Sequence, residues 1–501
     1  MAPSEIYPSL IPFYAIIVSL AAVPLILLSS RRPNIRDFWT VAASIIKFAL
    51  VFLLLPGALT NRIAECTLWE VSPGIGLALK ADPLGILFAL IASGLWILTS
   101  VYSIGYVRGL DEQKQTRYFA GFAVCLSATV GIAFSANLLT FVIFYEILTI
   151  ATYPLVIHKE TKVAIDAGRK YLVYTLTAGV LLIAATAWTY NITGTLDFKA
   201  GGMFGKAAFS KTTVTLLFFL FLGGVGVKAS IMPLHSWLPA AMVAPTPVSA
   251  LLHAVAVVKS GVFGVIRVVG FVFGPELMRQ FGLSAILAIF AGATIILASL
   301  LAFRQDNLKH LLAYSTIGHL SYIVLGASLL SPASLTGGLL HIVNHATMKI
   351  TLFFCAGAIY VNLHKEKISE LDGIGKVMPW TMGAFTLGAV GLSGIPPLNG
   401  FISKWQLGLG SLQAGEILPL IILLLSGMLN VGYFSPIIYR AFFKKAAIPY
   451  KQGEATPAMF APIVITALLS LLLGLNPDLF FHFYRLAFTA SGSILGVISH
   501  E

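Results

Sequence analysis

The sequence predicts an all-α polytopic membrane protein with about 14 transmembrane helices. The 501 residues are 58% hydrophobic and 10% charged, a composition that soluble globular proteins of this length do not have. Apolar runs of about 20 residues recur along the chain, and this length crosses ~30 Å of hydrocarbon as a helix. We find no series of short alternating strands of the kind that forms a transmembrane barrel.

The predicted spans follow one another with short connections. They cover residues 10–29, 38–58, 83–105, 118–134, 137–157, 170–190, 212–232, 247–270, 281–302, 310–330, 334–361, 380–410, 416–440 and 459–481. No basic residue precedes the first apolar run, so it lacks the n-region of a cleaved signal peptide. We therefore expect it to be a retained first span.

Spans 7 and 12 are predicted to be broken helices. Span 7 has three glycines before Lys228 and Pro233 after it, and span 12 is interrupted by Gly394, Pro396, Pro397 and Gly400. Proline removes a backbone hydrogen bond inside a helix, and the freed backbone is tolerated only where it is buried or lines a wet cavity.

The position of the two breaks indicates an internal repeat. They lie five spans apart, and corresponding interrupted segments are typical of inverted repeats with an ion site. We expect two inverted five-helix repeats, spans 4–8 and 9–13. The predicted regions are an N-terminal three-helix peripheral region (1–117), two repeat units (118–270 and 281–440) and a C-terminal helix with a short tail (441–501).

Basic residues favour alternate loops. Arg31, Arg32 and Arg36 follow the first span, and Arg440, Lys444 and Lys445 follow the thirteenth. The positive-inside rule then predicts a protein of the cell (plasma or inner) membrane with both termini outside the cytoplasm. The net charge of +12 is explained by this topology rather than by nucleic-acid binding.

Ionisable residues interrupt the apolar runs, at a cost of about 2.5–3.5 kcal/mol each on insertion scales. They are Lys47, Glu146, Lys228, His253, Lys259, His319, His341, His345, Lys349 and Lys404. Such residues mark ion pathways, and we expect a proton relay. Lys47 lies outside both repeat units, and for it we favour snorkelling or a lipid-facing edge over a role in the relay.

Glu146 and Lys228 are the predicted switch pair of the first unit. A lone carboxylate in the membrane interior would protonate, whereas beside a lysine it can stay ionised. Moving the glutamate would release the proton that the lysine holds. A purely structural ion pair, or a Lys228 that snorkels to an interface, remains open as an alternative.

Span 11 carries a stripe of titratable side chains. His341, His345 and Lys349 are spaced i, i+4, i+8, so they lie along one helix face. A satisfied core histidine is the common alternative, and two imidazoles lack the further ligands of a zinc site. His253 and Lys259 are six residues apart, or about 240° around an ideal helix, and share a face only if the helix contains a bulge.

The remaining signals are few. Lys404 follows the second break and is the expected terminal group of the second unit, while His319 either connects the units or has a core role. The three cysteines form no CxxC pair, and we predict no cofactor, metal or redox centre. Whether the chain counts as an enzyme stays open.

The chain resembles the antiporter-like subunits of respiratory complex I, Mrp cation/proton antiporters and membrane-bound hydrogenases. The strings PLHSWLPAAMVAPTPVSALLHA, RQDNLKHLLAYSTIGHLSYIVLG, HIVNHATMKITLFF and GIPPLNGFISKW carry this resemblance, which covers about residues 80–440. It implies 14 helices with inverted repeats, a key glutamate at Glu146, a broken-helix lysine at Lys228 and a connecting lysine at Lys259. It also implies a second proton site at His345 and Lys349 and an exit lysine at Lys404. From their place in the apolar runs, we expect His253, His319 and His341 to be accessory groups of the relay.

We therefore expect a proton-translocating subunit of a multi-subunit membrane complex. IVNHATMK and ISELDGIGKVMPWTM are most similar to Mrp D and hydrogenase-type subunits, so such a module is favoured over a pumping subunit of an NADH/quinone-type complex I. The expected partners are other membrane subunits, the lipid bilayer and possible peripheral redox proteins, without nucleic acid. A stand-alone secondary transporter and a non-conducting scaffold are the remaining alternatives.

Overall fold

The computed structural model describes residues 5–60, 62–72, 75–205, 210–446 and 453–496. Within these ranges, 13 helices are long and apolar enough to cross a membrane. The remaining predicted span, span 12, is not a single long helix: it consists of two consecutive helices of 15 residues each. Of the predicted C-terminal region, residues 447–452 and 497–501 lie outside the described ranges.

The first half of the chain contains the helices that carry Glu146 and Lys228. They are α1 Ile11–Leu28, α2 Pro33–Leu53, α3 Leu55–Leu59, α4 Pro83–Gly109, α5 Gln115–Ala133, α6 Leu138–Val156, α7 Lys162–Thr193, α8 Lys211–Lys228, α9 Trp237–Ala240, α10 Thr246–Ala250 and α11 Val257–Arg267. Asparagine and threonine side chains cap the N-termini of α6 and α7, where they accept hydrogen bonds from otherwise free backbone N–H groups.

The second half surrounds a long buried helix. It contains α12 Pro275–Gln280, α13 Leu283–Phe303, α14 Leu308–Ser328, α15 Pro332–Leu363, α16 Pro379–Ser393, α17 Asn399–Gln413, α18 Ile417–Phe443, α19 Pro457–Leu475 and α20 Phe483–Leu495. A capping box at Ser331 and Ser334 starts α15. This helix packs on α4, α14, α16, α17, α19 and α20, so its polar side chains meet residues from many parts of the chain.

Both predicted breaks are present. Helix α8 ends at Lys228, and the chain runs through Ser230, with φ +56°, and a cis Met232–Pro233 bond before α9 begins. Helices α16 and α17 are separated at Gly394, with φ +88°, and by a cis Pro396–Pro397 bond. In each case a lysine lies beside the interruption, as the sequence predicts.

The eighth span contains the bulge that the spacing of His253 and Lys259 requires. Its described length, Thr246–Phe273, is entirely buried and includes two π-helical segments, Leu251–Val255 and Val268–Phe273. A π-helical turn inserts an extra residue into the helix and changes which side chains share a face. His253 belongs to the first of these segments, directly before α11.

A small sheet departs from the all-α prediction. Strand β1 (Glu5–Pro8) pairs in parallel with β2 (Arg62–Ser72), which pairs antiparallel with β3 (Ile75–Ala81). The sheet joins the helical body where Lys80 N–H donates to Phe134 O at the end of α5. Strand β1 precedes the first predicted span, and β2 and β3 lie between the second and the third, so all three fall outside the apolar runs from which the helices are predicted.

Three basic residues are buried. Lys47 does not snorkel: it is 0% exposed, and its Nζ lies 5.0 Å from the centre of the Trp96 ring. Arg267 and Lys309 are buried as well. Arg267 makes a bidentate pair with Asp82 at 2.6 and 2.9 Å, which compensates the charge, and Lys309 Nζ donates to Ala244 O.

Candidate functional site

Glu146 and Lys228, the predicted switch pair, form no ion pair within 4 Å in this arrangement. Lys228, which is 0% exposed, donates from Nζ to Tyr145 O at 2.5 Å and lies 3.4 Å from the centre of the Tyr145 ring. The last turn of α8 therefore directs the lysine to the residue next to Glu146.

The carboxylate of Glu146 rests against a glycine of α7. A Cβ added at Gly179 would lie 2.6 Å from Glu146 Oε1, so the missing side chain makes room for the carboxylate. Oε1 is buried and has no hydrogen-bond partner among the residues that the structure describes. An unpaired carboxylate oxygen beside a buried lysine is a place where a proton can be taken up or released.

Lys259 directly contacts a histidine of the second half. Its Nζ lies 2.9 Å from Nδ1 of His345, while His345 Nε2 has no partner in the described part of the chain. Helix α11 thus reaches α15 across the boundary between the two predicted units. His253, by contrast, has no hydrogen bond to a described residue on either ring nitrogen and stacks on Phe353 with a centroid distance of 4.8 Å.

Two histidines form a continuous hydrogen-bonded chain. His319 Nδ1 lies 3.1 Å from His341 Nε2, and His341 Nδ1 lies 2.8 Å from Ser403 Oγ. Asn430 donates from Nδ2 to His319 Nε2 at 3.2 Å, which assigns the proton of neutral His319 to Nδ1. By the same logic His341 donates to Ser403. Such an oriented series of imidazoles and a hydroxyl can pass a proton along its length.

A second chain links Lys349 to the same asparagine. Lys349 Nζ donates to Ser315 Oγ at 2.9 Å, and the Tyr433 hydroxyl lies 2.9 Å from Ser315 Oγ and 2.6 Å from Asn430 Oδ1. An amide side chain does not readily relay protons. Asn430 therefore positions two groups: its Oδ1 accepts from the Tyr433 hydroxyl, and its Nδ2 donates to the His319 ring.

The rings of His345 and His319 are adjacent, with centroids 5.5 Å apart. Among the described residues, no carboxylate lies within 4 Å of Lys259, Lys349 or Lys404. Charging these neighbouring amines together would place like charges in a low-dielectric interior without counterions. The arrangement therefore favours exchange of protons between sites over simultaneous protonation of all of them.

Lys404 lies at the end of this network, next to Ser403. Its Nζ donates to Ser393 O at 3.1 Å, and it lies 5.1 Å from the centre of the Tyr322 ring. The Tyr322 ring in turn packs within 5.1 Å of the His319 ring. Lys404 is partly exposed, unlike Lys259 and Lys349, and it faces a groove between α17 and α18.

Sequence reasoning found the titratable groups but missed the groups that connect them. Ser315, Ser403, Asn430 and Tyr433 are uncharged and occur on three different helices. Only the i, i+3 spacing of Asn430 and Tyr433 could have indicated a shared face. No group of three or more His, Cys, Asp or Glu side chains suited to a metal ion occurs in the described ranges.

Comparison with known proteins places these residues in a family context. The sequence profile of a family described as "NADH:quinone oxidoreductase/Mrp antiporter, TM" matches residues 135–430. NADH-quinone oxidoreductase subunit N of Desulforudis audaxviator is 30% identical, with 93% of this chain and 95% of that protein covered. A Na(+)/H(+) antiporter subunit of Bacillus subtilis is 26% identical, with 94% of each chain covered.

A further relative matches only part of this chain, and two solved structures share its fold at low sequence identity. Hydrogenase-4 component B of Escherichia coli is 33% identical over 66% of this chain and 50% of that protein. A chain of the Mrp complex from Dietzia superposes with a TM-score of 0.85 at 21% identity, covering 97% of this chain and 99% of the other. A chain of the archaeal membrane-bound sulfane sulfur reductase gives a TM-score of 0.86 at 23% identity, covering 97% and 98%.

Proposed function

Because this chain belongs to the family of NADH:quinone oxidoreductase and Mrp antiporter transmembrane subunits, we propose that it translocates protons within a multi-subunit membrane complex. The observation that carries the proposal is the buried chain from His319 through His341 to Ser403, with Lys404 beside it. Buried ionisable groups are expensive inside a membrane and typically mark transport routes.

In this proposal, the second half carries protons between lysines. Lys259 exchanges a proton with His345, and the adjacent His319 passes it through His341 to Ser403 and Lys404. The step between the rings of His345 and His319 needs a bridging water or a ring rotation, because their centroids are 5.5 Å apart. Lys349 exchanges protons with the Ser315 and Tyr433 hydroxyls, and the step from Tyr433 to His319 needs a bridging water, because Asn430 holds the two groups in place but does not relay protons.

Glu146 and Lys228 form the switch of the first half. In the arrangement seen here the lysine binds Tyr145 O and forms no ion pair with Glu146 within 4 Å. A shift of α6 that brings the carboxylate to Lys228 would hold the proton on the lysine, and the return shift would favour its release. His253 has no hydrogen-bonded partner among the described residues, so we assign it an accessory role.

We propose two inverted repeats, residues 118–270 and 281–440, flanked by the peripheral region 1–117 and the C-terminal region 441–501. The similar placement of Lys228 and Lys404 beside breaks in α8 and α16–α17 supports this division. The distribution of basic loop residues supports a plasma or inner membrane location with both termini outside the cytoplasm, and proton entry from the cytoplasmic side.

The partners are other membrane subunits of one complex. An Mrp-type Na⁺/H⁺ antiporter or membrane hydrogenase-type module is favoured by the motifs of the second half. A pumping subunit of an NADH/quinone-type complex is the second candidate, supported by the 30% identity to an NADH-quinone oxidoreductase relative. Co-purification separates them: redox-active peripheral subunits would identify a redox-driven complex, and small membrane subunits alone an antiporter. A chain that transports by itself would contradict both.

The function is tested by removing one hydroxyl from the relay. Ser403→Ala takes away the group that His341 contacts, and Ser411→Ala removes a buried hydroxyl two turns later on α17 that donates to Leu407 O. Both complexes should assemble. We expect proton flux in proteoliposomes to fall about tenfold or more for Ser403→Ala and to stay unchanged for Ser411→Ala. Full flux in Ser403→Ala would contradict the proposal.

A further inference from the structure

Lys404 opens sideways onto an apolar groove between α17 and α18. The groove has a volume of about 440 Å³. Its walls include Trp405, Leu412, Leu424 and Met428, which are 56%, 56%, 64% and 72% exposed. In a membrane-spanning helix pair, these exposed apolar side chains face lipid or another apolar partner. Among the described residues, the only ionisable side chain that lines the groove is Lys404.

The groove runs along both helices. From Lys404 to Leu412 it follows α17 for about 12 Å, and along α18 it runs from Leu420 to Val431 for about 16 Å. At its inner end, the stem of Lys404 lies against Gly394, where an added Cβ would come within 2.6 Å of Lys404 Cδ. Ser393, Gly394 and Lys404 therefore form this end of the groove, and the Lys404 amine donates to Ser393 O there.

We propose that this groove binds a long-chain fatty acid, whose carboxyl group pairs with Lys404 and whose alkyl chain lies between α17 and α18. One cation at the end of a long apolar surface complements one carboxylate at the end of a long apolar chain. The acid enters as the neutral carboxylic acid and transfers its proton to the neutral amine. The product is a carboxylate–ammonium pair without net charge, and no proton leaves the site.

The depth of Lys404 selects a fatty acid over a phospholipid. Helix α17 continues nine residues beyond Lys404 to Gln413, about 14 Å along its axis. A phosphate remains ionised and is held at the interface, so it cannot reach this amine without crossing much of a hydrocarbon half-layer. A carboxylic acid can cross that distance in its neutral form.

Occupation of the groove would regulate transport, a consequence that rests on the proposed function. A bound carboxylate keeps the proton on Lys404, the group beside the end of the His319–His341–Ser403 chain. While the acid is bound, Lys404 therefore cannot release protons that arrive along the relay. The binding site itself does not depend on proton transport and is measurable separately.

Quenching of Trp405 by 9,10-dibromostearic acid tests the binding. The acid is titrated into the purified native complex, and the Trp405→Phe variant identifies the part of the signal that comes from this side chain. Lys404→Met removes the cation. Gly427→Leu fills the groove from α18, where an added Cβ meets only Ser393 O at 3.5 Å, and Gly383→Leu is the matched control, because an added Cβ there meets nothing within 4 Å.

We expect saturable quenching that weakens about tenfold or more in Lys404→Met and Gly427→Leu and is unchanged in Gly383→Leu. Competing acids should bind more weakly as their chains become shorter than the groove, with less loss per methylene than transfer from water would give, because lipid is also apolar. The proposed site would be overturned if the methyl ester quenched Trp405 as well as the acid does, or if the acid bound equally to Lys404→Met. It would also be overturned if a neighbouring subunit of the complex closed the groove to the acid. Unchanged proton flux at saturation would overturn its inhibitory role and leave the binding site standing.

Discussion

Tyr433→Phe separates a role in proton transfer from a role in packing. The hydroxyl lies 2.9 Å from Ser315 Oγ and 2.6 Å from Asn430 Oδ1, and among the described residues it is the group that joins them. The phenyl ring remains, so its packing on Phe303 and Phe434 is retained. The substitution therefore removes a connection while it leaves the shape of the buried site nearly intact.

The expected magnitudes differ between stability and transport. Loss of one neutral hydrogen-bonding group costs about 1 kcal/mol, and interhelical hydrogen bonds in membranes average about 0.6 kcal/mol. Such a loss leaves most of a stable complex folded. The Tyr433 hydroxyl is the last proton-carrying group between Lys349 and the His319 ring, which Asn430 holds in position, so its loss should lower proton flux about tenfold or more, which corresponds to about 1.4 kcal/mol in the barrier.

The assay is proton flux in proteoliposomes that contain the intact complex, normalised to assembled protein. Tyr118→Phe is the matched control, because its hydroxyl is also buried and also pairs with a serine, Ser103, at 3.1 Å, but on α4 and α5. The control should keep its flux. Equal flux in Tyr433→Phe and Tyr118→Phe would refute the assignment of Tyr433 to the relay.

Three further outcomes are expected. Gly261→Leu should prevent normal assembly or transport, because an added Cβ would overlap the backbone at Ala229, directly after Lys228. Arg267→Met should lower the thermal stability of the complex by the equivalent of about 3–5 kcal/mol, because it leaves Asp82 without its bidentate partner. Burial, with a neighbouring arginine, lowers the pKa of His158 from 6.5 to about 4, so thermal stability should fall as the pH drops from 6.5 towards 4.

The controls for these variants use the same measurements. Gly383→Leu should leave transport intact, since its added side chain meets open space. Asp82→Asn with Arg267→Met should recover part of the stability, because it removes the unpaired charge, and no recovery would argue against an ion-pair effect. His158→Gln should flatten the stability profile between pH 6.5 and 4, and an unchanged profile would mean that another group titrates.

The spans were predictable because their length and apolarity are properties of local sequence. The breaks were also predictable, since glycine and proline act on the backbone where they occur. The small sheet was missed because its strands lie outside the predicted spans, where a search for apolar runs of helical length gives no signal. The bulge at Leu251–Val255 was predicted only on a condition. The spacing of His253 and Lys259 places them on one face of the helix only if the helix contains a bulge.

The site was predictable residue by residue and not as a network. Charge in an apolar run reveals Lys259, His345 and Lys349, but it gives no distance between α11 and α15. The connecting hydroxyls and amide are ordinary constituents of membrane helices, so Ser315, Asn430 and Tyr433 carry no signal alone. The pairing of Glu146 with Lys228 as a switch likewise gave no geometry, and in this arrangement the amine donates to the backbone carbonyl of Tyr145.

The burial of Lys47 was also not predictable from the sequence. A lysine in an apolar run can reach an interface with its flexible stem, and from sequence alone that interpretation is the more economical one. The packing of α2 against α4 instead encloses its amine beside Trp96, without a hydrogen-bond partner among the described residues. Burial alone therefore does not assign a lysine to the relay, since the connections of its amine must be known.

The most direct test compares two equally buried lysines in the intact complex. Lys349 and Lys47 are both 0% exposed, but within the described part of the chain only Lys349 is linked by hydrogen bonds to the relay. Proton flux should be lost in Lys349→Met and retained in Lys47→Met, with both complexes assembled. Retained flux in Lys349→Met, or equal loss in both variants, would contradict the claim that protons travel through the connected side chains of the second half.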